Sequence, residues 1–125
     1  MKFISRRIHA ILDYIVGIIL ILAPTLLGFD DNPAAKYSAI LVGILVLGMS
    51  LLTQYEGGVV KVIPMSVHLV MDVLIGIFLA VSPWLLQFSN EVFVPHLVFG
   101  LFSIGAGIFT VSASKHGIGQ RGVLS

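Results

Sequence analysis

The sequence predicts an all-α fold: a four-helix transmembrane bundle made of two tandem helical-hairpin repeats related by a pseudo-two-fold axis along the membrane normal. Three observations predict it. The 125 residues are 58% hydrophobic and only 10% charged, against about 25% charged in soluble globular chains. The apolar residues gather into four runs of about 20, the length that a hydrocarbon layer about 30 Å thick demands of a helix. A His, Asp and Gly pattern in the first run then recurs in the third.

The four runs cover residues 8–29, 37–55, 65–88 and 92–112. They are continuously apolar, not alternating, which excludes a β-barrel. Lys2, Arg6 and Arg7 before the first run resemble the start of a signal peptide. That run is too long for a signal sequence and carries Asp13 within it, so it is expected to be a retained first span. The breaks between runs have turn chemistry: Asp30-Asp31-Asn32-Pro33, Glu56-Gly57-Gly58 and Ser89-Asn90-Glu91. Connections this short make neighbouring helices antiparallel.

Six of the seven Lys and Arg residues fall on one side of this arrangement: Lys2, Arg6, Arg7, Lys61, Lys115 and Arg121. Only Lys36 falls on the other, beside Asp30, Asp31 and Glu91. The positive-inside rule then puts both termini in the cytoplasm. Trp84, Phe88, Phe29 and Tyr37 are expected at the outer interface, where aromatic rings favour the headgroup level. A formal charge of +1 excludes nucleic acid as a partner. Zero cysteines exclude disulfides, thiol catalysis and Cys-based metal centres.

The chain is expected to form a single integral membrane domain over residues 1–125, with repeat one at 8–57 and repeat two at 65–114. His9, Asp13 and Gly17 recur as His68, Asp72 and Gly76, and the same offset relates Leu20 to Leu79, Pro24 to Pro83 and Phe29 to Phe88. A loop shorter by two residues then relates Gly43 to Gly100, Gly48 to Gly105 and Thr53 to Thr110. Both hairpins therefore have the same orientation, unlike the inverted repeats of many transporters.

Ser82-Pro83-Trp84-Leu85-Leu86, degenerate in the first copy as Ala23-Pro24-Thr25-Leu26-Leu27, resembles the motif that names the SPW-repeat membrane proteins. The resemblance covers residues 8–114 and includes the upstream His and Asp. It implies a small bacterial integral membrane protein of paired-helix repeats, in the cytoplasmic membrane, and implies no activity. The first copy lacks the Ser and the Trp, so a role for Trp84 belongs to one copy only.

At about 100° per residue, His9, Asp13, Gly17, Leu20, Pro24 and Leu27 share one narrow stripe of the first helix. Their counterparts share the same stripe on the third. The simplest reading brings helices one and three together along it, with Gly17 and Gly76 allowing close approach. Helices two and four carry stripes of small residues: Gly100, Ser103, Gly107, Thr110 and Ser114 on one, Ala39, Gly43, Ser50 and Thr53 on the other. These suit packing inside the bundle or between copies of the chain. Pro24 and Pro83, near their helix ends, are expected to kink the helices, a re-entrant gate being the alternative.

His9, Asp13, His68 and Asp72 are the candidate polar or ion site. Each His and Asp pair stands at i and i+4 on one face and can hydrogen-bond, which offsets the cost of burying a carboxylate in lipid. Three readings compete: a polar clamp joining helices one and three, a proton- or ion-handling site, and a metal or haem site. His96 beside Pro95 is expected to be solvated at the outer interface, and His116 belongs to a polar tail. Nothing in the sequence combines a nucleophile with a base or cradles a phosphate. The expected function is a non-enzymatic oligomeric or accessory membrane module, with no cofactor called for. Its partners are the lipid bilayer and a second copy or larger membrane complex. The alternatives are a proton or small-ion channel or carrier, and a metal- or haem-binding redox component.

Overall fold

The computed structural model describes residues 2–111. Ser114, Lys115, His116, Arg121 and the end of the second repeat lie outside the described residues. Four helices follow in order: α1 (Arg6–Leu26), α2 (Pro33–Leu52), α3 (Met65–Leu85) and α4 (Val94–Phe109). α1, α2 and α3 are long and apolar enough to cross a membrane. At 16 residues α4 is shorter than the expected span, and at about 1.5 Å per residue it falls short of a full hydrocarbon core.

The helices begin where short polar side chains take up their free N–H groups. Ser5 caps α1 by accepting from Ile8 N at 3.2 Å, and Asn32 caps α2 by accepting from Ala35 N at 3.0 Å. Pro33 follows at the first helical position, where its missing N–H costs nothing.

The helices end earlier than the apolar runs do. Pro24 and Pro83 lie in the last turns of α1 and α3, two residues before each helix stops, where a kink near the helix end was expected. Leu27 N and Leu86 N still bond Ala23 O and Ser82 O, and Phe29 N and Phe88 N close back on Pro24 O and Pro83 O. The chain then turns through the left-handed region at Gly28 (φ 78°) and at its counterpart Gln87 (φ 61°).

Proline at 83 also deprives Leu79 O of its helical donor. The Ser82 hydroxyl donates to that carbonyl at 2.7 Å. The adjacent Ser and Pro therefore work as one unit, the hydroxyl replacing the bond that the ring removes. Trp84, next in the motif, is half exposed, its ring tilted against that of Phe93 at 5.7 Å between centroids.

At their other ends α2 and α4 stop at threonines. Thr53 (ψ 144°) and Thr110 (ψ 140°) are extended. Thr53 forms an isolated bridge with Ile63, and Thr110 one with Ile4. The spans expected to reach 55 and 112 are cut at these residues.

α1 packs along α2 and α3 along α4, while α2 meets α3 and α1 meets α4 less extensively. The loops after α1 and α3 share one end, where Asn32 Nδ2 donates to Glu91 Oε2 at 2.7 Å. The α2–α3 connection shares the other end with the N-terminal segment, where the Arg6 guanidinium donates to Gln54 O. The interior core contains Leu20, Val42, Val46, Ile75, Leu79 and Phe88. The outward faces carry exposed apolar side chains such as Ile11, Ile15, Ile18, Leu41, Leu74 and Leu101, a surface suited to lipid.

The glycines correct one expectation. Gly17 and Gly76 do not meet each other. A Cβ on Gly43 would stand 2.8 Å from Gly17 O, and one on Gly100 would stand 2.6 Å from Gly76 O. Each close approach lies within a hairpin, α1 on α2 and α3 on α4, because small residues on both partners let those two backbones touch. Gly107 belongs to the same seam, its Cβ position 2.7 Å from Leu69 O. α1 and α3 face each other across the bundle and are bridged by side chains.

The seam predicts a contrast between neighbouring glycines. Gly100→Ala should lower thermal stability in detergent by about 1–3 kcal/mol, the cost of overpacking. Gly105, with nothing within 4 Å of its Cβ position, should accept Ala with an unchanged or higher melting temperature.

Candidate functional site: a buried His–Asp centre

α1 places His9 and Asp13 one turn apart on its inner face, and α3 does the same for His68 and Asp72. The sequence-expected pairs within each helix exist, with His9 Nε2 3.2 Å from Asp13 Oδ1 and His68 Nε2 3.3 Å from Asp72 Oδ2. The shorter contacts are the crossed ones. His9 Nε2 lies 2.8 Å from Asp72 Oδ2, and His68 Nε2 lies 3.0 Å from Asp13 Oδ2. All four side chains thus join into one ring that spans the two hairpins. The imidazoles meet edge to face at 5.3 Å between centroids, so no porphyrin fits between them, and the haem variant of the metal reading is set aside.

The ring is closed off. His9 and His68 are 0% exposed, Asp72 3% and Asp13 8%. Beyond the carboxylates lies a cavity of about 20 Å³, its wall mainly apolar and including Val16, Leu20, Val42, Val46, Ile75 and Leu79. That is room for about one water molecule.

Threonines fix the imidazoles. Thr53 Oγ1 donates its only proton to Met49 O at 2.6 Å, and Thr110 Oγ1 donates to Ala106 O at 2.6 Å. Each hydroxyl oxygen is then an acceptor, and the Nδ1–H groups of His68 and His9 donate to Thr53 and Thr110 at 2.6 and 2.7 Å. The extended backbone at both threonines is what ends α2 and α4. With Nδ1 committed to an N–H, each Nε2 faces the carboxylates. Neither Nε2 has an aligned hydrogen-bond partner, nor does Asp72 Oδ2, although these atoms are close together. They converge on a shared centre instead of pairing end to end. A neutral imidazole there turns a lone pair toward anionic oxygen, so the arrangement needs positive charge at its middle, as protons or as a cation.

Tyr55, in the α2–α3 connection, completes the site. Its hydroxyl donates to Asp13 Oδ2 at 3.0 Å, and its ring lies 5.4 Å from that of His68. The sequence reading missed it, because nothing in residue spacing ties Tyr55 to a helix 42 positions earlier. The sequence offset pairs Thr53 with Thr110 and suggests packing for both, whereas the fold makes them the imidazole partners. Ser103, from the same stripe, donates to Asp72 O at 2.8 Å and ties α4 to α3 beside the ring.

His96 lies elsewhere, toward the loops that follow α1 and α3. The expectation of a solvated side chain is corrected: it is 1% exposed, with Nε2 2.9 Å from Ala35 O and 3.1 Å from Ser38 Oγ. Phe29 and Phe88 flank its ring at 5.2 and 4.7 Å, and this packing takes it out of water.

Because the threonine contacts are paired, their loss should be paired too. Thr53→Val and Thr110→Val should each lower detergent stability by about 1–3 kcal/mol, the cost of a stranded buried N–H. Tyr55→Phe should cost less, since Asp13 keeps its imidazole contacts. Melting temperatures of the three variants check this ordering.

No curated protein and no solved structure matches the chain significantly. The family model described as the SPW repeat domain matches residues 7–110. That match takes in all of the four helices but Arg6, with both His–Asp pairs and the Ser-Pro-Trp motif, and the chain belongs to the SPW repeat family.

Proposed function

We propose that this small membrane protein is a non-enzymatic module, of oligomeric or accessory role, whose two hairpins are locked together at one end by the His9–Asp13–His68–Asp72 ring. The observation that carries the reading is the crossed pairing, in which each imidazole lies nearer to the carboxylate of the other hairpin than to its own. A lock needs contacts between the units it joins, and these are they. The full burial of both imidazoles supports a non-catalytic role, since a substrate has no path to the reactive nitrogens. The mainly apolar wall beyond the carboxylates favours a lock over an ion path, because ions need polar groups in succession.

In this reading the hairpins are internal repeats related by a pseudo-two-fold axis along the membrane normal. The matched Thr53–His68 and Thr110–His9 contacts and the matched Gly17–Gly43 and Gly76–Gly100 seams support it. The chain sits in a bacterial cytoplasmic membrane with both termini inside.

A double-mutant cycle tests the lock. His9→Leu and Asp72→Leu, alone and together, should show a coupling of about 0.5–3 kcal/mol in detergent stability. Strictly additive losses remove the lock. Orientation has its own test, on single cysteines in intact cells. An impermeant thiol reagent should label Asp31→Cys and Glu91→Cys from outside and leave Gly58→Cys unlabelled, whereas the reverse pattern inverts the topology.

A further inference from the structure

We propose that His9 Nε2, His68 Nε2, Asp13 and Asp72 are the ligands of a single divalent transition-metal ion, zinc being the best fit to their number and type. The inference rests on the lock described above and names what closes it. One ligand atom from each of the four residues lies within 4.8 Å of the others. Asp72 Oδ2 lies 2.8 and 3.3 Å from the two Nε2 atoms, and Asp13 lies 3.2 Å from His9 Nε2 through Oδ1 and 3.0 Å from His68 Nε2 through Oδ2. A tetrahedral site with bonds of about 2.0–2.2 Å has edges of about 3.3–3.6 Å, so these contacts need to open by only about half an ångström or less to reach the shorter edges and admit the ion.

Donor chemistry narrows the ion. Two imidazole nitrogens disfavour calcium and magnesium, which take oxygen, and the absence of thiolate removes the preference for copper(I) or an iron–sulfur cluster. Two nitrogens and two oxygens in a four-cornered arrangement suit zinc, with cobalt(II) its spectroscopic substitute. Charge narrows it further. Two carboxylates and two neutral imidazoles sum to minus two, so a dication leaves the centre neutral within an apolar interior.

Three features of the site point to an ion and not to ordinary hydrogen bonding. His9 Nε2, His68 Nε2 and Asp72 Oδ2 are buried polar atoms without an aligned partner, although both nitrogens lie within 3.3 Å of that oxygen. Each imidazole is held by its Nδ1–H to a threonine oxygen, which leaves Nε2 free to ligate. Tyr55 steadies Asp13 from outside the ring. Ligating histidines and carboxylates are ordinarily oriented by outer partners of this kind.

The test uses the full chain, purified in detergent, stripped with a chelator and titrated with Co²⁺. The expected result is one Co²⁺ per chain with the intense visible bands of a four-coordinate site, bleached by equimolar Zn²⁺ and unaffected by excess Mg²⁺. Thr53→Val should weaken binding about 10–100-fold, the usual effect of losing a ligand's outer partner. Asp72→Asn should abolish the bands. Absence of the bands in wild type, or binding that Thr53→Val leaves unchanged, overturns the proposal even where Asp72→Asn fails to fold. A wild type without metal whose His9–Asp72 coupling persists overturns the metal alone. If the coupling is lost as well, the lock falls with it.

Discussion

Four polar side chains buried inside an apolar bundle are tolerable only if they satisfy one another. A lone ionised carboxylate in the hydrocarbon region costs about 2.5–3.5 kcal/mol even on the gentler insertion scales. Asp13 and Asp72 each face an imidazole from their own helix and one from across the bundle, and the positive charge held at that shared centre is what offsets the cost. Several other features at this end of the molecule serve the same ring. α2 and α4 stop at Thr53 and Thr110, whose hydroxyls hold the imidazoles, and the connection after α2 brings Tyr55 over Asp13. Even the short α4 follows from this, since Thr110 turns away to bridge Ile4 while still donating to Ala106 O.

The opposite end is governed by proline. Pro24 and Pro83 stop α1 and α3 before the apolar runs are used up, and the chain folds back so that Phe29 and Phe88 enter the core. Those two rings then enclose His96, which reaches across to α2 through Ala35 O and Ser38. Ser82 supplies the bond that Pro83 removes from Leu79 O; before Pro24 the chain has Ala23, whose side chain has no donor. The Ser-Pro pair thus has a local backbone reason, separate from the Trp that follows it.

Between these ends the two hairpins are held by backbone proximity. The Gly17–Gly43 and Gly76–Gly100 approaches are too tight for any side chain. Lipid offers no hydrophobic drive for helices to associate, so close van der Waals contact must supply it. Glycine seams bind each hairpin internally, and the polar ring at one end, with His96 and the Asn32–Glu91 bond at the other, binds one hairpin to the other. This division of labour explains why α1 and α3 need not touch along their backbones.

Much of this was legible in the sequence, because composition and span length answer directly to the thickness of a bilayer. The helix count, the family and the pairing of His9 with Asp13 and of His68 with Asp72 all come from local pattern. The helices end before Phe29, Tyr55 and Phe88, since hydropathy continues through residues whose backbone has already left the helix. A stripe also identifies an inward face without saying which neighbour it meets. Gly17 and His9 share a stripe, yet one contacts α2 and the other reaches α3. Tyr55 lay beyond reach, because its partnership with Asp13 exists only once the connection folds over the bundle. The sequence alone determined that the chain forms four apolar helices and that two of them carry a His–Asp pair each. Only the tertiary structure decided that the pairs cross, since the distance between two helices is set by packing and by no spacing along either one.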